Sequence, residues 1–279
     1  MAINLTTKFQ KATSDLLKAG AATSSIVNDR WDWDGANAVK VYTLADPTIG
    51  NYDPTAASAR YGTPAEVQDT LQTFTLSRDR SYSSVMDALN IQDTNGVRRP
   101  AAYVAQVVKN KMIPEIDTYR LAALVTAGGV ARSTTLVAAA ASTTANAYTN
   151  FLLLNANITD NEGNASGRVA ICTQTFYNLL KQTTGFTLAS DQAYSDLRKG
   201  VVGVVDGVKI VICPSSRMPA NTDLIITHPD VLTAPEKLKD VVLHKNAPGY
   251  NGSLIEYRHR YDAFVDTNQL YNLAIHKTA

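Results

Sequence analysis

The chain has 279 residues, enough for one large domain or two smaller ones and for a sizeable buried core. Lys and Arg total 26 against 25 Asp and Glu, a formal net charge of +1, which argues against tight charge-driven binding to nucleic acid or acidic membranes. No run of about 18 apolar residues occurs, so no membrane-spanning helix is expected.

In chain order, the opening MAINLTTKFQKATSDLLKAG carries lysines but no continuous apolar core. It predicts no secretion signal, and folding in a cytoplasm. Residues 1–34 read as a polar arm in which residues 2–18 form a short amphipathic helix with Phe9, Ala12, Leu16 and Leu17 on one side. WDWDG follows, with Trp31 and Trp33 alternating with aspartates. The readings open here are a sugar platform, an acidic metal site, and an aromatic anchor tying an extended arm to its own body or to a neighbour. The anchor is the favoured one.

Residues 36–90 predict a long β-hairpin excursion. AVKVYTL (Ala38–Leu44) alternates as a half-exposed strand does, and VQDTLQTFTLSR (Val67–Arg78) returns. Between them Asp46–Pro64 is rich in Pro, Gly, Asp, Asn and Ser and reads as a mobile tip. A second short strand is expected at Tyr82–Met86. So polar a hairpin has little of its own to bury, which suggests that it lies across another chain.

The longest helical pattern runs from Val97 to Val125. Pro100 suits its first turn and Gly128–Gly129 stop it. Val104, Val108, Met112 and Ile116 recur at four-residue steps, broadened by Val107, Tyr119, Ala123 and Leu124. Lys109, Lys111, Glu115, Asp117 and Arg120 are expected to fill most of the other side. Pro114 should bend this spine, which at ~1.5 Å per residue spans roughly 40 Å.

Beyond it, a helix is predicted in ANAYTNFLLLNAN (Ala145–Asn157), a turn at Asn161–Gly167, a buried strand at Arg168–Thr173 and a helix at Gln174–Lys181. A loop over 182–199 precedes two strands around the Asp206–Gly207 turn, and Asp-Gly between β-branched runs is a strong hairpin signal. Further strands are expected at Leu224–Thr227, Leu254–Phe264 and Leu270–Ile275, with a mixed segment at Val231–Val242. Helices and strands mix without a βαβ rhythm, which favours α+β.

The four histidines, His228, His244, His259 and His276, form no HxxxH, HxH or HExxH pattern, and neither cysteine lies in CxxC. No metal or other cofactor is expected. Cys172 and Cys213 sit in apolar runs (RVAICT and VKIVICP), so they read as small buried hydrophobes in a reducing compartment, not as nucleophiles. No GxSxG elbow, phosphate loop or dinucleotide fingerprint appears. The chain is therefore expected not to be an enzyme. The rivals are a hydrolase using Cys172, Cys213 or His228 and an adhesin using Trp31 and Trp33. Arg78-Asp79-Arg80 at the hairpin base reads equally as a solvated strand face or as ion pairs between subunits. Arg98-Arg99 and Glu256–Arg260 read as solvated.

FTLSRDRSYSSVMD (Phe74–Asp87), KMIPEIDTYRLAAL (Lys111–Leu124), VVGVVDGVKIVICPSSRM (Val201–Met218), LIITHPDVL (Leu224–Leu232) and EYRHRYDAFVDTNQLYNLAIHK (Glu256–Lys277) follow one another in an order that resembles tailed-bacteriophage major capsid proteins of the Hong Kong 97-type fold. The resemblance runs from about residue 35 onward. It implies an N-terminal arm (1–34), an extended loop (35–90), a peripheral domain with the spine helix (91–135 and 254–279) and an axial domain (136–253). The chain would then associate with itself as pentamers and hexamers, closing an icosahedral shell around double-stranded DNA touched without sequence preference. It would be assembled in the host cytoplasm and found in the virion. Only about 35 residues precede the first strand, so a separate scaffolding protein is expected, with a portal as a further partner. The runner-up with this fold is an encapsulin-type shell around cargo enzymes. On the assembly reading, Trp31, Trp33, Tyr42, Arg60, Tyr61, Arg78, Asp79 and Arg80 are the candidate inter-subunit contacts.

Overall fold

The structure, a computed structural model, describes residues 20–28, 31–34, 37–93, 99–128, 133–138, 141–182, 201–245 and 247–278. The expected helix at 2–18, Gly35, Arg98, Gly129 and nearly all of the loop 182–199 lie outside the described residues. The chain divides into two compact units, an excursion from Arg30 to Leu76 and a body made of the rest.

A 3₁₀ turn at Thr23–Ile26 leads into β1 (Val27–Asn28), and the excursion holds β2 (Asp32–Asp34), β3 (Ala38–Leu44) and β4 (Asp69–Thr75). The body resumes with β5 (Arg78–Asp87), α1 (Ala88–Asp93) and α2 (Pro100–Val107). A π-helical turn at Val108–Met112 joins α2 to α3 (Ile113–Ala127). Next come β6 (Thr134–Ala138), α4 (Ala147–Asp160), β7 (Val169–Thr173), α5 (Gln174–Lys181), β8 (Val201–Val205), β9 (Val208–Cys213) and β10 (Thr222–Thr227). The chain finishes through β11 (Leu232–Thr233), β12 (Glu236–Lys245), β13 (Gly252–Tyr261), β14 (Phe264–Val265) and β15 (Leu273–Thr278).

The spine is helical from Pro100 to Ala127, and Pro114 shapes it in a specific way. Proline has no N–H, and its ring would clash with the carbonyl four residues back in a regular helix. The π turn just before it shifts the pattern, so the Ile113 N–H donates to the Val108 carbonyl, five residues back. The spine therefore carries one wide turn immediately before the proline. No helix of the described residues is long and apolar enough to cross a membrane.

The body core is layered. A six-stranded sheet, ordered β6-β15-β10-β7-β9-β8, mixes parallel and antiparallel pairs and is buried on both faces. Side chains alternate across it with the period of two that a strand imposes. Ile171, Val211, Cys213, Ile225, Leu273 and Ile275 meet Leu121 and Leu124 of α3 on one face. Ala170, Cys172, Ile210, Leu224, Ile226 and Ala274 meet Phe151, Leu154 and Ile158 of α4 and Phe176, Tyr177 and Leu180 of α5 on the other. Each large apolar side chain buried there contributes about 1.5–3 kcal/mol. The β8–β9 turn has the expected geometry, with Asp206 and Gly207 both at positive φ (50° and 75°) as a type I′ hairpin requires.

A second sheet, β12-β13-β5, is antiparallel. Its inner face, led by Tyr257 and Tyr261 with Tyr82, packs on Met112, Val108, Ile116 and Tyr119 of the spine. Gly252 lets β13 start hard against β5, since a Cβ there would stand 2.1 Å from the Met86 carbonyl oxygen. The strand expected at Tyr82–Met86 is therefore a longer one, paired along its whole length with residues some 170 positions later.

One expectation is overturned. Asp117 and Arg120 do not share the solvated side of the spine: Asp117 is fully buried and Arg120 nearly so. Asp117 lies four and seven residues before Leu121 and Leu124, so it shares their inward face. It is held there by a set of partners described below.

Candidate assembly interface

In the excursion, β2, β3 and β4 form one antiparallel sheet. Trp33, Val39 and Phe74 are direct neighbours across the three strands and share one face. Trp31 meets Trp33 edge-on, with ring centroids 5.0 Å apart and planes at 87°, an arrangement favoured by the ring quadrupoles. Both rings are half-buried, and the pair is tied to this sheet. Among the described residues no group of three His, Cys, Asp or Glu side chains could hold a metal ion.

The long connection between β3 and β4 is organised locally. The Ala45 N–H donates to the Gln68 carbonyl, and the Asp53 N–H to that of Arg60. Asp53 also accepts from the backbone and hydroxyl of Thr55, and these bonds hold its carboxyl below the usual range. The Tyr52 and Tyr61 rings meet edge-on at 4.9 Å, and Arg60 Nε donates to the Ala56 carbonyl. Apolar side chains nevertheless point outward: Ile49 is 95% and Tyr61 91% exposed, and Tyr42, Leu44 and Val67 are also open. The Tyr42 hydroxyl donates to Asp69, which raises its own pKa.

The Arg78-Asp79-Arg80 trio alternates across β5. Arg78 and Arg80 reach inward to Glu115 on the spine, at 3.0 and 2.6 Å. Burial alone would raise the Glu115 pKa, but the two guanidinium hydrogen bonds outweigh it and hold the carboxyl below its ordinary value. Arg78 also lies 4.2 Å over the Tyr119 ring. Asp79 points to the outer face, where Arg258 grips both carboxylate oxygens and holds its pKa down. The trio thus has partners within its own chain, and Arg80 and Arg258 stay half or more exposed beside them. Of the residues expected to be solvated in Glu256–Arg260, Tyr257 and His259 are instead buried, and His259 lies 3.5 Å from Glu236.

The sequence reading missed the junction at Asp117. Its carboxylate accepts from the Ala22 N–H (3.0 Å), the Thr23 N–H (3.3 Å), the Thr23 hydroxyl (2.6 Å) and Arg217 (2.8 Å). Arg217 also donates to the Gly20 carbonyl, and Arg120 bridges to Glu236 at 3.3 Å. The His259 contact lowers the Glu236 pKa, and Arg120 adds to the effect. This junction fixes where the N-terminal strap crosses the spine. The i, i+4, i+7 alignment of Asp117 with Leu121 and Leu124 was the available signal.

Cys172 and Cys213 are free and buried, and burial pushes both thiols up to about 12. Such thiols stay protonated, which suits packing and not nucleophilic attack. His228 accepts the Asp230 N–H at Nδ1 and caps the 3₁₀ turn at Pro229–Val231, a structural task.

No known family model and no curated protein matches the chain in sequence. Solved structures do match in shape. A chain of the capsid structure of Cyanophage P-SCSP1u superposes with a TM-score of 0.72 at 12% identity, covering 96% of this chain and 90% of that one. A chain from Mycobacterium phage Che8 gives 0.69 at 19% identity, covering 99% and 98%. A chain of the bacteriophage PhiM1 mature capsid gives 0.68 at 15% identity, covering 99% and 92%. Over nearly its whole length, the chain has the fold seen in these phage capsid structures.

Proposed function

We propose that this chain is the major capsid protein of a tailed phage, a Hong Kong 97-like subunit that closes on itself as pentamers and hexamers around double-stranded DNA. The observation that carries this reading is the end-to-end superposition on phage capsid chains, with no large part of either chain left over. The excursion supports it independently, because its exposed apolar side chains call for a covering surface. In this reading the spine from Pro100 to Ala127 is the central helix, and the bounds expected from the resemblance (1–34, 35–90, 91–135 with 254–279, and 136–253) are redrawn: Arg30–Leu76 lies in the extended loop, β5 and β12 join β13 in the peripheral domain, and β7–β10 with α4 and α5 lie in the axial domain. Trp31, Trp33, Tyr42, Arg60, Tyr61, Arg78, Asp79 and Arg80 are the proposed inter-subunit contacts. The partners are further copies of the chain, a scaffolding protein, a portal and the packaged DNA, and the protein is non-enzymatic. An encapsulin-type compartment is not favoured, since the full-length superpositions above are on phage chains.

The test is electron microscopy of the purified protein, alone and co-expressed with a scaffolding protein. Closed particles, or pentameric and hexameric capsomers, are expected. A monomer under both conditions would overturn the reading.

A further inference from the structure

β15 carries a buried histidine whose two ring nitrogens stand in unlike settings. His276 is fully buried, and by alternation it shares the face of Ala274, toward α4 and α5. Its Nε2 lies 3.1 Å from the Asn150 amide nitrogen on α4. An amide nitrogen only donates, so Nε2 accepts and the single ring proton sits on Nδ1. Nδ1 has no hydrogen-bond partner among the described residues, and Asp223 Oδ2 on β10 is 3.9 Å away, too far to serve as one. That same oxygen accepts the Ser142 hydroxyl at 3.0 Å, which ties the segment 141–146, between β6 and α4, to β10.

A second proton on the ring changes both contacts. Nε2–H and the Asn150 amide nitrogen would then meet donor to donor, so the amide must turn to offer its oxygen. On the other side, a charge-assisted bond from Nδ1–H to Asp223 needs about 2.7–2.9 Å, so Oδ2 has to move inward by roughly 1 Å. That movement takes the acceptor away from Ser142. The other titratable groups nearby do not compete. Cys172, across from Leu224 on the same face, has its thiol pushed up to about 12 by burial, and burial also raises Tyr177 of α5. Lys181 of α5 lies over the Tyr177 ring at 4.4 Å. On α4, Tyr148 is two residues from Asn150 and does not share its side of the helix, and Asp160 is about 15 Å further along. β6 (TTLVA) holds no titratable residue, and Lys277 of β15 projects to the opposite face.

We infer that His276 is a proton-operated latch: its protonation transfers Asp223 from Ser142 to the imidazolium and releases residues 141–146 from β10. Burial disfavours the charged ring and Asp223 only partly offsets this, so the latch opens in acid. It concerns the body alone and stands apart from the shell reading.

The test is amide hydrogen exchange of the full chain, read by mass spectrometry and divided by the intrinsic rate at each pH. Protection over residues 141–146 should fall by roughly three- to tenfold as pH drops below about 6.5, the worth of one side-chain hydrogen bond, while α5 and β9 keep theirs. Asp223→Asn keeps an acceptor for Ser142 but offers no charge to the imidazolium, so the segment should stay protected over the same range. His276→Gln should do likewise, and Ser142→Ala should show the released level at every pH. An unchanged segment in acid, a loss spread evenly over the body, or the same loss in Asp223→Asn would overturn the latch.

Discussion

The body and the excursion solve the problem of apolar surface in opposite ways. The body buries its apolar residues between layers, α3 on one face of the six-stranded sheet and α4 with α5 on the other. The excursion has a small sheet and leaves Tyr42, Leu44, Ile49 and Tyr61 open. Stability should therefore reside in the body and association in the excursion, and substitutions in each should separate the two properties.

The largest effect is expected at Asp117. Asp117→Ala removes the carboxylate from beside two nearly buried arginines, and breaking a buried pair on one side costs about 3–5 kcal/mol. Urea unfolding should show that loss, and proteolysis should cut first within residues 20–28. Phe151→Ala, on the buried side of α4, should cost a similar ~3–5 kcal/mol by opening a cavity, but without early cleavage of the strap.

A smaller effect is expected from acid. His276 is buried, and its desolvation lowers its pKa, opposed by Asp223. Between that lowered value and about 6.5, the unfolded chain binds a proton that the folded chain does not. The melting temperature should thus be level above about pH 6.5 and fall as pH drops below it. Glu115 and Glu236 have depressed values too, so their contribution is complete above about pH 4.5 and is lost on further acidification through their folded pKa. His276→Gln should remove the upper part of this decline and leave the lower part. The smallest change in stability is expected in the excursion: Ile49→Ser and Tyr61→Ser should shift unfolding by no more than about 0.5 kcal/mol, yet weaken particle formation. A large loss of stability there would end the contrast between the units.

What could be read from the sequence was local. Ala38–Leu44 and Gln174–Lys181 are elements with the bounds that their patterns gave, and Asp206–Gly207 is a hairpin turn because only small or flexible residues tolerate positive φ at both positions. What could not be read depended on distant partners. β6 hides in an alanine- and threonine-rich run and is a strand because β15 pairs with it. The full extent of β5 follows from its match with β13, far along the chain. Asp117 looked like a surface acid because Arg217 and the strap that bury it lie about a hundred residues away on either side.

The strand order of the main sheet bears on synthesis. β15 lies in its interior, between β6 and β10, although it is the last strand in the sequence. Neither layer of the core can close until its residues have left the ribosome, and the strap at residues 20–28 waits on Arg217 in the same way. Such long-range closure is slow. A nascent chain thus exposes its apolar excursion well before the layers of its body can close.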